Sequence, residues 1–344
     1  MKKDSEGTLG PPDDPADFLK VAPELKDIID FDFVPLMNKD STNMNPQDWT
    51  KIAEAIYNRR NSEYKGFVIA HGTDTMHFSA AAVSFALGSQ LDFPVVFTGA
   101  QTIPDVPHGD ARVNLLRACK VCTTDLAEVV ISFGDYVFRG CRAQKKDERR
   151  FDAFESPAFF PVGNITEEIL LHPEARRRGN AESDIVFRGE FAKGVAQVSL
   201  IPGLEPDLLE SILESEICSG LILQSFGAGN VPNEEPYSFG KVIKKGHEMN
   251  KPVIVTSQFP ANATLHTSYA PGRAAVEAGA IPTGNMTSSC AAAKFRWVLA
   301  QFNQGVIEAK FRRSETIKVV NKMMQTIYVG EMDLPDSTTI RKRN

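Results

Sequence analysis

The sequence predicts an α/β protein of two domains, built on mostly parallel sheets flanked by helices. Three observations carry that prediction. Apolar runs of strand length alternate with helical patterns, the alternation breaks up near the middle of the chain and then resumes, and 344 residues exceed the usual size of one domain.

In the first half, "GFVIAHG" (66–72) leads into the helical "TMHFSAAAVSFAL" (75–87), and "PVVFTGAQ" (94–101) leads after a loop into "DARVNLLRACKVC" (110–122). "EVVISFGDYVF" (128–138) follows as a further strand. Strands alternating with helices imply a parallel sheet covered on both faces. From 151 to 194 the pattern dissolves into turns and charges, "ESPAFFPVGN" and "HPEARRRGNAESD", which read as a connection with some hairpin structure. "VAQVSLIPG" (195–203), "GLILQSFGAGN" (220–230), "KPVIVTSQFP" (251–260) and the helical "CAAAKFRWVLAQF" (290–302) then restore the alternation. The expected organisation is an N-terminal α/β domain over 1–160, a linker over 161–194, a C-terminal α/β domain over 195–332 and a flexible tail over 333–344.

Composition narrows the function. A net charge of −6 and a pI near 5.6 provide no broad basic surface, and the dense basic runs are short, "KKDERR" at 145–150 and "RRR" at 176–178. Nucleic acid and membrane are therefore not expected as partners, and no apolar run approaches the roughly 20 residues that span a bilayer. The expected location is cytoplasmic. Of the five cysteines, Cys119 and Cys122 are closely spaced but lack a second Cys or His pair at zinc spacing, so they read as packing or surface thiols rather than a metal site.

Gly72-Thr73-Asp74-Thr75 falls where a strand would end and a helix begin. Ligands of open α/β sheets bind at that end, and helix N-termini attract anions. A threonine hydroxyl there can act as a nucleophile and an aspartate can hold an ammonium group. The competing reading is that Thr73 or Asp74 caps the helix. Ser41, in "DSTNMNPQDW", has its own competing reading as part of a helix start, with Asn45 before Pro46.

"HGTDTMHFSAAA" (71–82) resembles the second signature of the L-asparaginase family. The resemblance continues in family order through "DSTNMNPQDW" (40–49), "VVFTGAQ" (95–101), "FRGCRAQK" (138–145), "FDAFESP" (151–157), "LILQSFGAGNVP" (221–232) and "NMTSSCAAAKF" (285–295), and is nearest to the cytosolic type I branch. It implies catalytic roles for Thr73, Asp74 and Lys145, with Asp74 holding the substrate α-amino group and Lys145 supporting activation of the threonine. It also implies a substrate-binding set of Asp40, Ser41, Thr42, Gly72, Thr73 and Asp74, with Ser41 at the α-carboxylate. L-asparagine is the implied substrate, hydrolysed through a threonine-dependent acyl-enzyme without a cofactor, by a homodimer or homotetramer.

One family element is missing from this sequence. The other family signature, a strand ending Thr-Gly-Gly-Thr-Ile with the acyl-forming threonine, has no counterpart, and Thr8 in "GTLG" follows no apolar strand. The expectation is that the protein begins upstream, that the chain as written leaves a slot in its sheet, and that it has little or no asparaginase activity. Asn285 stands where many relatives have aspartate. The alternatives are a non-catalytic asparaginase homologue and the asparaginase-like component of a tRNA-dependent amidotransferase.

Overall fold

The computed structural model describes residues 2–3, 9–10, 20–104, 106–259, 269–303 and 315–333. Thr8 and the segment after Asp333 lie outside the described residues. Contacts divide the chain into two compact units, Met1–Gly189 and Glu190–Asn344.

The first unit begins with a short antiparallel pair, β1 (Lys2–Lys3) and β2 (Leu9–Gly10), and the one-turn helix α1 (Leu25–Ile28). A 3-10 turn at Ser41–Asn43 precedes α2 (Pro46–Tyr57). The main sheet, in spatial order, holds β10 (Ile169–Leu171), β9 (Gly163–Ile165), β6 (Tyr136–Arg139), β5 (Val129–Phe133), β4 (Val95–Thr98) and β3 (Phe67–Ala70). Two further helices, α3 (Met76–Leu87) and α4 (Ala111–Cys122), connect β3 to β4 and β4 to β5.

β3, β4 and β5 run parallel, as expected. "EVVISFGDYVF" is two strands rather than one. Gly134 takes a φ of +57° and, with Asp135, turns β5 directly into antiparallel β6, pairing Phe133 with Tyr136. A two-residue hairpin needs such a positive φ, and glycine adopts it without a steric penalty. The β9–β10 hairpin then pairs onto β6. Residues 163–171, expected within a linker, thus extend the first sheet, and the boundary between units falls after Gly189.

Both faces of this sheet carry helices. Val96, Val130 and Val137 form one buried cluster with Ala118, Val121 and Cys122 of α4. Helix α3, small and apolar all round its circumference, buries ten of its twelve residues, as an interior helix must. β3 is the edge strand among the described residues, so it is half-buried rather than enclosed, and Ala70 at its carboxyl end is exposed. Near the same helix, β7 (Gln144–Lys145) and β8 (Phe154–Glu155) form a separate antiparallel ribbon.

The second unit has an all-parallel sheet in the order β11 (Val195–Ser199), β12 (Gly220–Ser225), β13 (Val253–Ser257) and β14 (Ile281–Pro282). Its helices are α5 (Pro206–Glu214), α6 (Gly240–Glu248), α7 (Ala270–Glu277), α8 (Ser288–Asn303) and α9 (Thr316–Gln325). Leu209, Leu213, Val242 and Ile243 pack on Leu221, Leu223, Val253 and Val255. Lys294 of α8 is wholly buried, but its ammonium is matched by Glu331 at 2.6 Å and by the carbonyls of Met324 and Thr326. Full pairing is what makes a buried charge tolerable. Among the described residues no helix is long and apolar enough to cross a membrane.

Candidate active site

The site lies in the first unit, at the carboxyl end of β3. The N-cap of α3 is Thr75, so neither Thr73 nor Asp74 is spent on capping. Both side chains meet Lys145 instead. Its Nζ donates to Thr73 Oγ1 at 2.9 Å and to Asp74 Oδ1 at 2.6 Å, across 72 and 71 residues of sequence. The β7–β8 ribbon delivers the lysine, because Lys145 pairs with Phe154 and the Lys146 N–H donates to Ala153 O at 2.8 Å. "FRGCRAQK" and "FDAFESP" are therefore the two halves of one local structure. The Lys145 side chain is 12% exposed and that of Asp74 56%, so the lysine is sheltered while the carboxylate opens outward.

The helix start near Ser41 is explained without it. Asn45 caps α2 and forms a reciprocal capping box with Asp48, which leaves Ser41 outside the cap. Ser41 is buried, and its main-chain carbonyl accepts from Thr75 Oγ1 at 2.7 Å. It also touches Gly72 so closely that an added Cβ there would fall 2.6 Å from Ser41 Oγ. Asp40, Ser41, Gly72, Thr73, Asp74 and Lys145 all line one cavity of about 1610 Å³ that runs along β3. Thr42 is not on its wall. The Thr42 N–H and hydroxyl both donate to Asp40 Oδ1, at 2.8 and 2.7 Å, and hold the Asp40 carboxyl below its ordinary range, the N–H first.

Three residues escape the sequence reading. Gln101 Oε1 accepts from Thr73 Oγ1 at 3.0 Å. His71 sits between the Gly72 carbonyl, 2.7 Å from Nδ1, and the Ser79 hydroxyl, 2.9 Å from Nε2. A carbonyl can only accept, so Nδ1 carries the proton and Nε2 accepts from Ser79. Burial pushes the His71 imidazole down, consistent with that neutral form. His77 is pushed down to about 4, first by burial and then by the charge of Lys145. Its Nδ1 is buried with no hydrogen-bond partner among the described residues. Only position marks these residues, since glutamine after a β4-like strand and histidines around "GTDTM" carry no chemistry that spacing alone reveals.

A sheltered lysine beside a threonine hydroxyl, with a carboxylate open to a cavity at a strand end, is the equipment of a hydrolase. Comparison with known proteins agrees. Residues 1–177 match the asparaginase N-terminal domain model and residues 194–309 the glutaminase/asparaginase C-terminal domain model. The chain belongs to the asparaginase family. It is 32% identical over 321 residues to the D component of the glutamyl-tRNA(Gln) amidotransferase of Methanothermobacter thermautotrophicus, covering 91% of this chain and 72% of that one. The corresponding amidotransferase component of Aeropyrum pernix is 31% identical over 338 residues, covering 95% and 75%. Among solved structures, the thermostable L-asparaginase from Thermococcus kodakarensis superposes with a TM-score of 0.80 at 28% identity, over 96% of this chain and 95% of that one. L-asparaginase I from Vibrio cholerae gives 0.75 at 29% identity, over 88% and 86%.

Proposed function

We propose that the chain is an L-asparaginase, hydrolysing L-asparagine to L-aspartate and ammonia through a threonine-dependent acyl-enzyme. The observation that carries this reading is the joint contact of Lys145 with Thr73 and Asp74. The acyl-forming threonine that the family resemblance implies has no counterpart in this sequence, so this reading, against the expectation of little or no activity, gives its role to Thr73. In its neutral form Lys145 takes the Thr73 proton and sharpens that oxygen for attack on the carboxamide carbon. The C–N bond breaks, ammonia leaves with the proton, and water then cleaves the threonyl ester. Asp74, open to the cavity, holds the substrate ammonium, and Ser41 with Gly72 shapes the carboxylate end. Assembly as a homodimer or homotetramer belongs to the same proposal.

A second reading is favoured by the names of the relatives at 31–32% identity. On that reading the chain releases ammonia as one component of a tRNA-dependent amidotransferase. Ammonia release from L-asparagine and L-glutamine by the purified chain, with calorimetric titration of L-aspartate, tests both. Asparagine turnover by the chain alone supports the first reading. Release that appears only with a partner protein and charged tRNA supports the second. Aspartate binding without turnover under either condition defeats both and leaves a binding homologue.

A further inference from the structure

Thr73 Oγ1 and Gln101 Oε1 stand 3.0 Å apart. Two oxygens at that distance need a hydrogen between them, and an amide oxygen has none to give. The orientation of the amide is fixed independently, because Gln101 Nε2 donates to Asp147 O at 3.0 Å; reversing it would set two carbonyl oxygens against each other. The hydrogen therefore belongs to Thr73 and points at Gln101. With that hydrogen committed, Thr73 Oγ1 can only accept at its other contact, and Lys145 must be the donor across 2.9 Å.

We propose, resting on the catalytic reading of Thr73 and Lys145, that Gln101 is a positioning residue that holds the Thr73 hydroxyl hydrogen away from its base and fixes the rotamer from which the oxygen works. Activation is then a two-part event. Lys145 first loses a proton, and the Thr73 hydrogen then swings from Gln101 to Lys145 Nζ while the oxygen stays in place. The loop is anchored for this purpose. The buried Asp110 carboxylate accepts from Gln101 N at 3.1 and 3.0 Å, from Thr102 N at 3.1 Å and from Thr102 Oγ1 at 2.9 Å. Asn114 donates to the same carboxylate at 3.1 Å and to Gly99 O at 3.0 Å. Such support limits the drift that would misplace a reacting oxygen.

Gln101→Met keeps the length of the side chain and removes the acceptor. In the full chain, Gln101→Met is expected to lower kcat for asparagine by about tenfold or more, with KM and aspartate affinity within about threefold and melting temperature little changed. A readout independent of turnover is the Thr73 hydroxyl proton in selectively threonine-labelled protein, assigned by its loss in Thr73→Val. It should exchange slowly and show a nuclear Overhauser contact to Gln101, and Gln101→Met should abolish both. If the parent chain releases no ammonia yet shows this proton, the functional reading fails and the positioning stands. Absence of the proton in the parent, or full turnover in Gln101→Met, overturns the proposal, as does a loss of turnover in Gln101→Met that tracks a fall in melting temperature.

Discussion

Ser41 occupies the space that a side chain at position 72 would need, with Ser41 Oγ and Cβ at 2.6 and 2.7 Å from where a Cβ on Gly72 would stand. Gly72→Ala therefore forces Ser41 to move, and overpacking of this kind costs about 1–3 kcal/mol. The expected outcome is L-aspartate binding weakened by about tenfold, with melting temperature changed less than by a core substitution. Calorimetry decides; unchanged affinity would remove Ser41 from the carboxylate end.

Thr73→Ala, Asp74→Ala and Lys145→Met should each abolish most ammonia release. Because the three side chains form one connected unit, the triple variant should be little worse than the single ones. Steady-state ammonia assays on the singles and the triple measure this. Near-normal turnover in Lys145→Met would eliminate lysine as the base.

Asp74→Asn separates binding from chemistry. If Asp74 reads the substrate ammonium, succinamate, which is asparagine without its α-amino group, should bind the parent far more weakly than asparagine does. It should lose little further affinity in the variant, because a half-made ion contact is costly only where the partner charge remains. Competition assays against L-aspartate give the comparison. Equal losses for both ligands on mutation would place the ammonium elsewhere.

His77 links the site to acid stability. Free imidazole takes a proton near 6.5, but folded His77 resists until about 4. Between those values the unfolded state binds more protons, so stability falls as pH falls through that window and is fully present above it. The shift corresponds to on the order of 3 kcal/mol by pH 4. Denaturant unfolding from pH 7 to 4 should show this slope, and His77→Phe should flatten it. An unchanged slope would assign the acid sensitivity to other groups.

The strands and helices of the second unit, and the parallel core of the first, are legible in the sequence because long apolar runs and period-3.6 patterns record burial directly. The hairpin at Gly134 is hidden, since β5 and β6 are both apolar and only the Gly134-Asp135 pair marks the reversal. In the site, Thr73, Asp74 and Lys145 are reached through the family resemblance, and position at a strand end alone leaves catalysis and helix capping as competing readings of Thr73 and Asp74. Gln101 and His77 cannot be read, because their roles depend on which side chain a distant loop sets against them.

The Lys145 contact to Thr73 spans 72 residues, the Gln101 contact to Asp147 spans 46, and the Thr75 contact to Ser41 spans 34. Each such closure must be made against chain entropy before it is rewarded. Competence to handle a ligand is consequently held by no fragment of the chain, and during refolding it should arrive late, after helices have formed. A ligand that bridges Asp74 and Ser41 would tie those remote segments together, and so would act on the protein as a cross-link does, slowing its unfolding in proportion to occupancy.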